Sequence, residues 1–334
     1  MPRWNSHQLQ GIAAALLSAV VLGLSPVFGK QAISAGTPWL TVVTFRTVAA
    51  AGLLWVMYLA VPGLRKFIYI YPVGLIGSLT AGLINGLGSL LYYNSLGRLD
   101  ASLAQLIYMM YPLFLTLLAR LDGYTISRLT LFRLFMALTA VYFLVGMGTA
   151  QADGLGVLFM ILSSLTFALH LLVNQRMLLD MPAPTVALYT LTAMAVTVLV
   201  AYVGSGLPAL PPTPLAWEAV GLLTFCTLIS RLMLFMGMKR LGGVQAALIN
   251  LNELLVAVVG ATLLLGERLT GLQWLGAVLL GLSVLLIARE RSLGLPQQPT
   301  PWLQILTARL TDTPIPTPPK PAPPVKPPAP KPRE

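Results

Sequence analysis

Glu253 is the side chain in this sequence best placed to do chemistry. It lies inside a long apolar stretch, with Asn250 and Asn252 beside it and Gln245 seven residues before Asn252 on the same helical side. At a rise of about 1.5 Å per residue it sits roughly 15 Å from the stretch's N-terminal end. An ionisable group in hydrocarbon costs several kcal/mol unless it meets a partner or a wet cavity. Two readings follow. Glu253 is either a working carboxylate, which carries a proton or holds a cationic substrate group, or half of a structural ion pair with Arg231.

A second candidate set is periodic. Ser163, Thr166, His170 and Asn174 are spaced by three, four and four residues, which places them on one helix face turned away from lipid. The serines and threonine suit close helix packing as well as a substrate path. His170 offers either an imidazole that titrates near pH 6.5 when unperturbed or a neutral hydrogen-bonding group. Arg46, about eight residues into its own stretch, has a guanidinium that cannot be neutralised and can reach several acceptors. Lys30 either joins Arg46 in holding an anionic group or snorkels to the headgroups. Tyr108, Tyr111, Gln105 and Asn85 add aromatic walls, hydroxyls and amides suited to an amphipathic solute.

Other chemistries fit poorly. Ser89 and His170 are the one tempting nucleophile and base, but Leu90 follows Ser89 where a rhomboid-like motif requires glycine. No HExxH, phosphate-cradling loop or metal-ligand spacing occurs, and Cys226 is the single cysteine. The sparse polar groups form no repeated ring of the kind a selective channel needs. No cofactor is implied, and proton coupling would fall to Glu253.

These residues need a scaffold, and composition names its solvent. Of 334 residues 57% are hydrophobic and 9% charged, against roughly 25% charged in soluble domains. The chain is therefore an all-α integral membrane protein. Ten stretches reach spanning length, at 11–33, 38–61, 71–96, 101–120, 130–149, 155–178, 184–204, 216–237, 243–265 and 270–288. Arg65, Lys66, Arg120, Arg128, Arg133, Arg176, Lys239 and Arg240 fall on one side and only Arg98 and Arg268 on the other, which predicts cytoplasmic termini in the cell membrane. The net charge of +11 is thus mainly a topology signal, and no clustered basic face suggests nucleic acid. The expected partners are lipid and a small-molecule substrate, with the chain a monomer or homodimer. Residues 289–334 hold 14 of the 26 prolines, too many for a core, and read as an extended cytoplasmic tail.

The two halves resemble each other. At an offset of 142, Arg98-Leu99 falls on Arg240-Leu241, and Ala104, Leu106 and Ile107 fall on Ala246, Leu248 and Ile249. At 145, Leu17-Ser18 falls on Leu162-Ser163. Tyr108 and Tyr111 thereby occupy the repeat positions of Asn250 and Glu253. The expected domains are a short N-terminus, 1–10, and two five-helix modules, 11–149 and 150–288. An odd span number inverts the second module relative to the first and puts a substrate site between them near the midplane.

Lys30, Pro38, Arg46, Tyr111-Pro112, Lys239-Arg240-Leu241-Gly242, Asn252-Glu253 and Leu264 to Leu269 together resemble the twin modules of the EamA-type drug/metabolite transporters. The resemblance spans about residues 10–288. The pattern departs at Leu24-Ser25, where a tryptophan is usual, at Leu254, where a proline is usual, and at Tyr124-Thr125-Ile126, where Gly-Glu-Arg is usual. The resemblance implies a ten-helix carrier that exports small polar or amphipathic metabolites by alternating access. An intramembrane enzyme or an importer of the same fold is the alternative.

Overall fold

A computed structural model of the protein describes residues 6–118, 128–146, 153–241, 246, 249–250 and 252–286. The Pro-rich tail, Gln245 and the turn at 124–126 lie outside the described residues. All regular structure among the described residues is helical: α1 (Ser6–Ser34), α2 (Trp39–Ala60), a 3₁₀ turn (Pro62–Phe67), α3 (Pro72–Arg98), α4 (Ala101–Tyr108), α5 (Tyr111–Leu118), α6 (Arg128–Gly146), α7 (Gly154–Asp180), α8 (Ala183–Gly204), α9 (Pro214–Leu241), α10 (Asn252–Leu265) and α11 (Gly271–Leu285). Helix is the required form, because lipid offers no partner to a backbone N–H or C=O.

Six helices, α1, α2, α3, α7, α8 and α9, are long and apolar enough to cross a membrane, at 22 to 28 residues each. The others are shorter. The outer surface bears Val56, Phe135, Val200, Leu255 and Leu263, each more than 60% exposed. In water such a surface would aggregate; in a bilayer it is the solvated face. The chain is a multi-pass membrane protein.

Two expected spans are not continuous helices. The stretch at 101–120 is divided by a turn at Met109–Met110, and in the stretch at 243–265 a turn at Asn250 precedes α10. The first break has a covalent cause. Pro112 has no N–H to donate to the Tyr108 carbonyl, and Ser164 of α7 fills that place, its hydroxyl donating to Tyr108 O at 2.9 Å. The second break falls at the equivalent repeat position without a proline. There a tight turn forms in which the Glu253 N–H donates to Asn250 O at 2.9 Å.

Packing repeats as the sequence does. Helix α1 lies against α9, and its repeat mate α7 lies against α3; α3 meets α8 as α9 meets α2; α10 rests on α1 as α4 and α5 rest on α7; α6 pairs with α11 and α2 with α8. Exchanging the modules leaves this scheme unchanged. Individual hydrogen bonds obey the same exchange. Ser18 Oγ donates to Ser230 O at 3.1 Å, and the equivalent Ser163 Oγ donates to Gly88 O at 2.8 Å. Serines on the inward faces thus tie each first helix to the other module's third.

Candidate functional site

The helices line a cavity of about 50 Å³ whose lining includes Arg46, Asn85, Ser89, Tyr108, Arg231 and Glu253. Ligand pockets commonly run to about 300–1,000 Å³. The present space holds water or a single small polar group.

Glu253 stands in the first turn of α10, 2% exposed. Its Oε1 accepts from Gln105 Nε2 at 2.7 Å, and Gln105 Oε1 in turn accepts from Tyr92 Oη at 3.0 Å. Its second oxygen, Oε2, has no hydrogen-bond partner among the described residues. Gln105 belongs to α4, so this bond joins the two interrupted helices next to the cavity. Gly23 makes the placement possible: a Cβ there would lie 2.6 Å from the Glu253 carbonyl oxygen, which only glycine permits.

The expected ion pair between Glu253 and Arg231 does not form. Arg231 Nη1 instead donates to His170 Nε2 at 3.2 Å, and its guanidinium lies over the Phe167 ring at 5.6 Å. The Gln105 amide reaches Glu253 first and supplies a donor without a second buried charge. His170 uses its other nitrogen, Nδ1, as the donor to Ala81 O at 2.9 Å. That tautomer is neutral, with both nitrogens engaged. No hydrogen bond joins it to Ser89, whose Oγ accepts from Arg46 Nη2 at 3.4 Å.

Arg46 is 7% exposed, and its Nη1 donates to Thr227 Oγ1 at 3.0 Å while the guanidinium sits 4.6 Å from the Tyr93 ring centroid. Its Nε is buried without a hydrogen-bond partner among the described residues. Asn85 lines the cavity with its amide on Met194 Sδ at 3.0 Å. Tyr111 and Asn250 are buried beside this group, Tyr111 ring to ring with Tyr108 and Phe167 at 5.8 and 5.0 Å.

Two expected site residues lie elsewhere. Asn252 is exposed, and its amide closes on Ile249 O at 2.7 Å, because the turn before α10 rotates it away from the bundle. Asn174 is fully buried between α7 and α8, its amide donating to His170 O at 2.8 Å and its oxygen accepting from Thr190 Oγ1 at 3.2 Å. It braces helices. Lys30 turns inward to the backbone of α3. Its Nζ donates to Leu96 O at 3.1 Å and Leu99 O at 2.6 Å, satisfying the carbonyls that end α3.

Sequence reasoning missed Tyr92, Tyr93, Phe167, Thr227 and Ser230 in the lining. A signal existed. Carrying the offset of 142 down the third helix puts Thr227, Ser230 and Arg231 on Asn85, Gly88 and Ser89, all of which face the cavity.

One end of the bundle is fastened across modules. Glu267 follows Gly266, whose φ of 71° turns the chain back after α10. Its carboxylate accepts from Ala101 N and Ser102 N at 2.8 Å each and from Ser102 Oγ at 2.7 Å, capping α4. Nearby, Asp153 caps α7 through Leu155 N at 2.9 Å and accepts from Arg98 Nη1 at 2.8 Å. The Arg98 guanidinium holds the Asp153 carboxyl below the usual carboxylate range.

Comparison with known proteins places this arrangement. A search of curated protein sequences gives no match. A solved crystal structure superposes with a TM-score of 0.56 at 19% identity, covering 86% of this chain and 99% of its own, which shows a shared fold. The model of the EamA-like transporter family matches twice, over residues 9–146 and 154–289, so the two repeats are two EamA domains and the chain belongs to the EamA-like transporter family.

Proposed function

We propose that this protein is a secondary transporter that exports a small polar or amphipathic metabolite across the cytoplasmic membrane by alternating access. In this reading ten membrane segments, two of them interrupted, form two inverted five-segment modules with cytoplasmic termini. The observation that carries it is the meeting of the two interrupted helices at Gln105 and Glu253, beside a polar cavity. Interrupted helices at a repeat interface are how carriers expose polar backbone and side chains to a solute inside the bilayer. Module exchange supports rocking, since the bonds of Ser18 and Ser163 give each half the same hinge contacts. Export, rather than import, rests on the family resemblance alone. Glu253 is the proton-coupling candidate.

The test is an untargeted comparison of metabolites retained by cells with and without the protein. At least one small polar solute should be depleted where the protein is made. Equal pools, together with equal uptake, would overturn the reading.

A further inference from the structure

Three ionisable side chains face the central cavity, Arg46, Arg231 and Glu253. Two are cations and one is an acid. Both guanidiniums are at least nine-tenths buried, at 7% and 8% exposure. Neither is in an ion pair: among the described residues the salt bridge recorded is Arg98 with Asp153, at the bundle's end. The arginines are held by neutral groups instead, Arg46 by Thr227 and Ser89, and Arg231 by His170. The site is therefore net positive with Glu253 ionised and more so with it protonated. A buried cation without counter-charge costs several kcal/mol, and two cations against one acid leave at least one uncompensated here.

We propose that the counter-charge is the substrate, and that this transporter's cargo is an organic anion whose carboxylate binds between Arg46 and Arg231. The proposal rests on the transport reading and names its substrate class. Arg46 Nε, buried and unpartnered, is a donor ready for a carboxylate oxygen. The size of the cavity, about 50 Å³, fits such a headgroup. The rest of the lining identifies the other end of the ligand. Tyr92, Tyr93, Tyr108 and Phe167 present ring surface to the same space, which suits an apolar or aromatic body and not a bare inorganic ion. A zwitterion would set its ammonium on the remaining Glu253 oxygen, Oε2, where the two guanidiniums of the same cavity repel it.

Three single-ring probes of similar size separate the options: benzoate, benzylamine and phenylalanine, tested on the full-length protein in liposomes. Benzoate flux should saturate, and benzylamine flux should not. Arg46→Gln and Arg231→Gln should each raise the benzoate half-saturation by about tenfold, the usual effect of losing a charge-assisted bond. Glu253→Gln removes the negative charge from the site and should tighten benzoate binding, read as a larger benzoate-dependent rise in Tm. This variant keeps the assignment testable if either arginine variant fails to fold. Saturable benzylamine flux in place of benzoate flux would overturn the anion assignment and leave transport standing, as would phenylalanine outcompeting benzoate. Benzoate binding indifferent to Glu253→Gln and to either arginine would also overturn it. No saturable flux with any probe, together with unchanged cellular pools, would remove the transport reading and the assignment with it.

Discussion

Gln105 donates from its amide to the Glu253 carboxylate at 2.7 Å, joining the two interrupted helices across a sequence separation of 148 residues. The bond is neutral on one side, so it can be kept when the charge is removed.

Glu253→Gln should therefore fold. Its amide can still meet Gln105, and no arginine is stranded because Arg231 is held by His170. The expected loss is about 1–2 kcal/mol, because the site gives up its one acid while Arg231 keeps its bond to His170. Flux should lose its pH dependence. A loss of about 3–5 kcal/mol, the cost of breaking a buried ion pair, would show that Glu253 and Arg231 are partners after all.

Gly23→Ala should reduce flux and stability together, by about 1–3 kcal/mol, because the new methyl meets the Glu253 carbonyl at 2.6 Å. Gly221→Ala is the matched control, since nothing lies within 4 Å of a Cβ there. Equal Tm values for the two variants would contradict the close approach of α1 to α10.

Glu267→Ala should open the fastened end of the bundle. It removes the acceptor for Ala101 N, Ser102 N and Ser102 Oγ, at a cost of about 1–3 kcal/mol. A cysteine placed at Ser102, buried in the native protein, should then label faster with a water-soluble maleimide. An unchanged labelling rate would show that the closure depends on other contacts.

The Asp153 carboxyl lies below its usual range because of Arg98. A depressed carboxyl contributes stability above its unfolded value, about 3.9, and loses it as pH falls through the folded value. The Tm difference between Asp153→Asn and the parent should thus be flat from about pH 5 to pH 8 and shrink only in stronger acid. A slope within that neutral window would show that Asp153 titrates there.

Topology can be read by labelling single cysteines from outside intact cells. Positions at Asp153 and Pro211 should react, and those at Arg65 and Arg128 should not. The reverse pattern would turn the protein over in the membrane.

Much of this was legible in the chain itself. Apolar stretches of spanning length can only be helices in lipid, because the backbone must satisfy itself, so helical class and approximate span positions follow from composition. The repeat was legible because equivalent loops and serines kept equivalent contacts, as Ser18 and Ser163 do. Both interrupted stretches read as unbroken spans; Pro112 was an unused signal for the first break, and nothing comparable marks the one at Asn250, where a tight turn forms without a proline. Periodicity put Asn174 and His170 on an inward face, but a face cannot say whether its neighbour is a cavity or another helix. What only the tertiary structure decided was partnership. Glu253, Gln105 and Arg231 are far apart in sequence, and which two bond depends on how α4, α9 and α10 approach within ångströms. That distance is set by small residues such as Gly23, which no charge pattern reveals.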